Sequence, residues 1–270
     1  MKRFASIALS AAVGLGLVAC SSDSGDLEPL TVLAVPTPHA EILRYVDEKN
    51  PEYELDVKVV PGGIDPNMSV ANGSAAANFY QHPPYLLDWE TQTGKKLVNI
   101  VGVHIEPMGM YSNSIDSIDQ LKQGAKIATP NSPSDLARAL ILLEANGVIG
   151  LDQEIDPANV SKINLQSITD NPKDIEIVPV DDVIVIQSLS DDSIDGVISS
   201  SNFALQVGLN PSEDSVIAES PENNPYVNIL AANEDAAKDP RIEKLAADLS
   251  SPETAEWIRE KYSGSVIPVN

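Results

Sequence analysis

The chain has 270 residues, with 40 Asp plus Glu against 17 Lys plus Arg, a formal charge of −23, three histidines and one cysteine. A chain this acidic lacks the basic footprint that a phosphate backbone requires, which excludes nucleic acid as a partner, and a lone cysteine excludes an internal disulfide. The length suits two modest lobes or one large domain.

The first twenty residues, "MKRFASIALSAAVGLGLVAC", open on Lys2-Arg3 and continue as an apolar, alanine-rich run that is short for a membrane span. They close on Leu17-Val18-Ala19-Cys20, which resembles the bacterial lipobox, where cleavage precedes the cysteine and the cysteine is lipidated. Residues 1–19 are therefore expected to be a signal peptide, Cys20 the lipidated residue, and 20–28 a polar tether. The mature protein is expected to sit on the outer, extracytoplasmic face of a cell membrane, held through the lipid on Cys20.

Beyond the tether, short β-like runs alternate with helical ones, which argues for an α/β fold. "LTVLAV" reads as a strand and "PTPHAEILRYVDEKN" as a helix; "ELDVKVV" is a strand followed by a Gly/Pro loop. "AAANFY" is a short strand, "PPYLLDWETQTG" a helix opened by Pro83-Pro84, and "KLVNIVGVHI" a strand. Near residue 125 the pattern restarts as strand, Pro-bearing loop and helix in "AKIATPNSPSDLARALILLEANG". "DIEIVPV" and "IDGVIS" are strand-like, "SNFALQVG" is helical, "YVNILAAN" is a strand, and helices are expected over 240–249 and 252–262. In open α/β sheets ligands sit beyond the carboxyl ends of strands, near helix N-termini.

The helix in "NSPSDLARALILLEANG", residues 131–147, carries one cation. Ser132 suits an N-cap and Pro133 the first helical position; Asp135 gives a start like a capping box, and Asn146-Gly147 a left-handed-tolerant end. At about 100° per residue Leu136, Leu140 and Leu143 share one face. Arg138 lies opposite, but beside Ile141, Leu142 and Ala145, so that face is only half open to water. A guanidinium there needs a partner. Asp135, one turn earlier, offers an ordinary i,i+3 pair; a ligand anion is the other candidate.

The sequence contains no glycine-rich phosphate loop, no G-x-S-x-G and no His/Glu pair at zincin spacing, so no enzyme is expected. His39, His82 and His104 could join acids in an exported metal carrier. No His-rich loop accompanies them, and His104 falls in a strand where a core histidine is the plainer reading, so neither metal nor cofactor is expected. The run Ser199–Ser201 reads as a helix start rather than a nucleophile.

"PHAEIL" at 38–43, "NFYQHPPYL" at 78–86, "TPNSPSDLARALILLEANGVI" at 129–149 and "NPYVN" at 224–228 together resemble the NlpA-type lipoproteins, the methionine-binding components of ABC importers. The resemblance runs in order over nearly the whole mature chain. It implies a two-lobed periplasmic-binding-protein fold with a ligand cleft between lobes and two hinge crossings: lobe one from 29–111 and 216–270, lobe two from 112–215. It further implies that Arg138 binds the α-carboxylate of an amino acid and that Asn228 binds its head group. Tyr80, standing where the family has phenylalanine in "F-Q-H", and His82 would wall the apolar side chain. Two departures enlarge or wet the pocket. Gly63 in "GGIDPN" stands where the family carries tyrosine, and in "SSSNFA" Ser200 takes an asparagine position, with Asn202 one helical step on. The resemblance thus implies an amino-acid receptor, methionine foremost, that delivers its ligand to an ABC permease and its ATPase. A different amino acid or a methionyl dipeptide is the alternative ligand, and a non-transport lipoprotein for adhesion or signalling the alternative role.

Overall fold

A computed structural model describes residues 28–60, 65–152 and 160–270. Cys20, the signal segment and Gly63 lie outside these described residues.

In chain order the elements are β1 (Leu30–Ala34), α1 (Glu41–Lys49), β2 (Leu55–Val59), α2 (Pro66–Ala71), β3 (Ala77–Gln81), α3 (Pro83–Thr93), β4 (Val98–Ile105) and β5 (Met108–Tyr111). There follow β6 (Lys126–Pro130), α4 (Pro133–Ala145), β7 (Gly150–Leu151), β8 (Ile168–Asp170), β9 (Glu176–Val180), β10 (Gly196–Ser200), α5 (Ser201–Gln206) and α6 (Pro211–Asp214). The chain ends with β11 (Ile217–Ala218), β12 (Val227–Ala232), α7 (Pro240–Leu249), α8 (Pro252–Tyr262) and β13 (Ile267–Pro268). Six of these helices start with proline at the first position, where the missing N–H costs nothing and φ is already helical.

The strands form two main sheets. The first has the order β13-β4-β12-β3-β1-β2 and the second β11-β5-β10-β6-β9. In each, the helix-linked strands run parallel and the strands nearer the crossovers run antiparallel. Both sheets are covered on both faces, and the period-two alternation of a strand decides which layer each side chain enters. On β12, Leu230 and Ala232 pack with Ile42, Leu43 and Ile242, while Ile229 and Ala231 pack with Val70 and Leu86 on the other face. On β6 and β10, Ile127 and Ile198 meet Leu140 and Leu143, while Ala128 and Val197 meet Val185 and Ala204.

Sheet membership moves the expected lobe boundaries. The backbone crosses from the first sheet to the second at Glu106-Pro107 and returns over residues 219–226. β5 and β11 thus belong to lobe two, which takes in residues 108–218 rather than 112–215. The reason is pairing: β5 hydrogen-bonds to β10 and β11, and a four-residue strand containing a glycine, "MGMY", gives no periodic signal of its own.

Candidate ligand-binding cleft

The lobes enclose a cleft of about 620 Å³. Its lining comes from the carboxyl ends of parallel strands in both sheets. Val35 follows β1, His82 follows β3, Asn131 follows β6 and Asp181-Asp182 follow β9, with Ser200 at the end of β10. Glu106 and Asn228 enter from beside the two crossovers. All six residues singled out in the sequence (Arg138, Asn228, Tyr80, His82, Ser200 and Asn202) line this one cleft.

Arg138 is 2% exposed, deeper than the half-buried position expected of it. The expected i,i+3 pair with Asp135 is present but long, with Oδ1 4.0 Å from Nη1. Glu219 makes the close pair: Nε donates to Oε1 at 2.8 Å and Nη2 to Oε2 at 2.6 Å, while Nη2 also donates to the Glu106 carbonyl at 2.8 Å. The Tyr226 ring lies 4.2 Å from the guanidinium carbon. Glu219 holds the guanidinium firmly charged against the cost of its burial. Two of the three nitrogens are thus committed. Nη1 donates to neither Glu219 nor Glu106, and the carboxylate oxygen recorded beside it is Asp135 Oδ1 at 4.0 Å. The pair with Asp135 stays long because Asp135 Oδ1 is engaged with His82 Nε2 at 3.0 Å and Oδ2 accepts from the Ser132 hydroxyl. Ser132 accordingly makes no side-chain cap. Asp182 Oδ1 accepts instead from the Asn131 and Ser132 amides, at 2.8 and 3.1 Å.

The His82–Asp135 contact joins the lobes, because His82 opens α3 in lobe one and Asp135 lies on α4 in lobe two. His82 Nδ1 accepts from the Tyr85 amide, which caps α3 and fixes the ring. Asp135 is held below its ordinary value. Burial pushes it up, but His82, Arg138 and the Ser132 hydroxyl together outweigh that. Tyr80 and Tyr85 stand edge to face at 5.8 Å; with Trp89 from lobe one and Phe203 from lobe two they make the cleft's aromatic lining. Burial raises the Tyr80 hydroxyl well above its ordinary value, so it stays neutral.

Under the cleft floor lies a buried cluster. His39 Nε2 stands 2.9 Å from Asn228 Oδ1 and 3.4 Å from Glu106 Oε1, and His104 Nε2 stands 2.9 Å from the same Glu106 oxygen. With His39 donating, Asn228 accepts through Oδ1 and its amide NH2 is left for the cleft. A register shift after Asn228 in β12 sets this residue apart from the regular ladder. Burial pushes His39 down to about 4, with His104 adding and Glu106 and Asn228 opposing. Burial pushes His104 down to about 3. The Glu106 carboxyl is raised by burial, against the pull of His39 and Arg138. His39, His104 and Glu106 are close enough to hold a metal ion, their ligand atoms lying within 4.8 Å of one another. The donor chemistry does not fit one. A metal on both Nε2 atoms would move the ring protons to Nδ1, and both Nδ1 atoms are buried without a hydrogen-bond partner.

Ser200 and Asn202 sit together at the start of α5. The Ser200 hydroxyl donates to Asn202 Oδ1 at 2.6 Å, which turns the Asn202 NH2 outward. Sequence reasoning missed Glu106, Glu219, Tyr85, Trp89 and Phe203. Tyr85 and Trp89 fall in the predicted helix after His82 and were readable as its one-turn spacing. Glu219, 81 residues from Arg138, carried no local signal. Among the described residues lining the cleft, Arg138 is the only Lys or Arg, against Asp65, Glu106, Asp135, Asp181 and Asp182.

A family model described as NlpA lipoprotein matches residues 30–270. The methionine-binding lipoprotein MetQ of Bacillus subtilis is 35% identical over 260 residues, covering 94% of each chain. The D-methionine-binding lipoprotein MetQ of Escherichia coli K12 is 30% identical, covering 98% of this chain and 97% of its own. A solved nutrient-binding protein from Burkholderia cenocepacia, bound to methionine, superposes with a TM-score of 0.83 at 32% identity, covering 89% of this chain and all of the other.

Proposed function

The chain belongs to the NlpA lipoprotein family, and from that premise we propose that it is the lipid-anchored substrate-binding protein of an ABC importer, taking an amino acid, methionine foremost, into the interlobe cleft. The observation that carries this reading is the charge pattern of the cleft. A plain anion would be repelled by the surrounding carboxylates, and a plain cation would ignore Arg138 and the two amide donors. A zwitterion satisfies both. Its carboxylate meets Arg138 Nη1 with the Asn228 and Asn202 NH2 groups, and its ammonium meets Glu106. The apolar side chain then lies along Tyr80, Tyr85, Trp89 and Phe203. No step of bond chemistry is needed; the protein binds, closes and hands over.

Closure follows from the same residues. Ligand contacts from both lobes, together with the His82–Asp135 pair, favour the closed state over the open one, and only such differential contacts can shift that equilibrium. The relatives' names support methionine as the ligand. A methionyl dipeptide is the alternative ligand.

Titration calorimetry with L-methionine, D-methionine and methionyl dipeptides tests the reading. Saturable binding of one of them is expected; heat from none would sink it. Anchoring is tested separately. Among the described residues no helix is long and apolar enough to cross a membrane; the lipobox-like Leu17-Val18-Ala19-Cys20 makes lipid on Cys20 the proposed attachment. Cys20→Ser is expected to leave the membrane fraction while keeping its melting temperature; persistence on salt-washed membranes would refute the lipid anchor.

A further inference from the structure

Arg138 is fastened to both segments that join the lobes. Its Nη2 donates to the Glu106 carbonyl on the first crossover, and its Nε and Nη2 donate to Glu219 on the second. Glu219 in turn ties the second crossover to the start of β5, directly after the first crossover. Its amide donates to the Met108 carbonyl, and its Oε2 accepts from the Met108 amide at 2.9 Å. Asn224, also on the second crossover, donates to Oε2 at 3.3 Å, and Tyr226 covers the guanidinium face. A ligand anion would neutralise the one cation of the cleft, yet the cation already has a carboxylate. That carboxylate therefore serves direction as well as charge. The Nε–Nη2 edge is spent on Glu219, and Nη1 is left as the only nitrogen to present.

The rival partner is within reach. Asp135 Oδ1 lies 4.0 Å from Nη1, and a buried guanidinium that loses its carboxylate turns to the nearest remaining one. Pairing with Asp135 would cover Nη1 and draw Asp135 from His82, loosening the contact that joins the lobes.

We infer that Glu219 is the positioning residue of the ligand site: by holding the Nε–Nη2 edge of Arg138 to the second crossover it keeps Nη1 beyond hydrogen-bond distance of Asp135 and available to a ligand carboxylate. The inference rests on the proposed amino-acid reading, so its test compares two ligands that differ only at the carboxylate. Methionine and methioninamide are titrated into wild type, Glu219→Ala, Glu219→Asp and the double variant Glu219→Ala with Asp135→Asn. Wild type is expected to prefer methionine. In Glu219→Ala methionine affinity falls roughly tenfold or more, while methioninamide changes by less than about threefold, because the lost contact is to the carboxylate alone. Glu219→Asp is intermediate, its shorter side chain reaching one nitrogen. The double variant recovers part of the preference, since the rival is gone. A parallel loss for both ligands, or an undiminished preference in Glu219→Ala, would make Glu219 a plain structural residue and overturn the inference. If Glu219→Ala does not fold, Glu219→Gln replaces it, with the same collapse of preference expected in lesser degree. Wild type that binds neither ligand defeats the functional reading and not this one, which is then decided without ligand. The Arg138 Nε–H resonance, assigned by its disappearance in Arg138→Lys, is expected to be protected from exchange in wild type and in Asp135→Asn and exposed in Glu219→Gln; protection retained in Glu219→Gln refutes the positioning role.

Discussion

The two walls of the cleft are built differently. Lobe two offers charge: Arg138, Asp135, Asp181 and Asp182, with the amide of Asn202. Lobe one offers mainly rings, with Tyr80, Tyr85 and Trp89 beside His82; among its polar groups Glu106 and Asn228 sit close to the crossovers and Asp65 at the start of α2. In the proposed reading, the wall of charge would decide whether an amino acid binds, because every amino acid carries the same head group. The wall of rings would decide which one, because only side chains differ there. This division also explains why the deepest hydrogen-bonded machinery gathers at the crossovers, where both walls can be positioned at once.

The comparison breaks most visibly at Arg138. Arg138→Ala is expected to weaken ligand binding by about 2–5 kcal/mol whatever the side chain of the ligand. It should also lower the melting temperature, since Glu219, 12% exposed at its side chain, loses its counter-charge. Calorimetry with methionine and with alanine measures the first effect and a thermal melt the second. A loss confined to methionine would show that Arg138 recognises the side chain and would undo the division.

Tyr80 tests the other wall. Tyr80→Ala should cost methionine about 1–2 kcal/mol, the worth of one apolar contact, and should leave alanine binding unchanged. Tyr80→Phe keeps the ring and is expected to behave as wild type toward both. Equal losses for methionine and alanine in Tyr80→Ala would place Tyr80 with the head group.

The smallest effect is on stability alone. Asp182 is pushed up to about 6, by burial first and by neighbouring Asp135 second. Because its folded value lies above its ordinary value of 3.8, ionisation opposes folding. That penalty is fully present above about pH 6 and is relieved as the pH falls toward 3.8. Asp182→Asn can still accept from the Asn131 and Ser132 amides, so it should stabilise the protein by about 1 kcal/mol at pH 7.5 and by nothing near pH 4. Melts at the two pH values check this. A gain that is equal at both pH values would point to packing instead of charge.

The resemblance to the family drew the six site residues toward one cleft, but it did not supply their partners. Arg138 was legible as a cation that needs an anion, from its place between Ile141 and Leu142. Glu219 was not, because nothing in "AESPENNPY", residues 218–226, distinguishes a buried acid from a solvated one. Glu106 was hidden in the same way, after a strand and before Pro107. The helix α2 was overlooked inside a stretch read as a Gly/Pro loop, although Asp65-Pro66 is the same start signal that marked α4; Asp65 accepts from the Met68 amide as an N-cap should.

The sequence by itself determined the alternation of strands and helices, the proline-marked helix starts, the two restarting halves and the acidic character of the surface. These depend on periodicity and local backbone preference, which act over a few residues. Only the tertiary structure decided which carboxylate Arg138 meets, where the chain crosses between sheets, and that His82 and Asp135 join the lobes. Those outcomes turn on distances between residues far apart in the chain and on burial, which sets how strongly two charges must find each other.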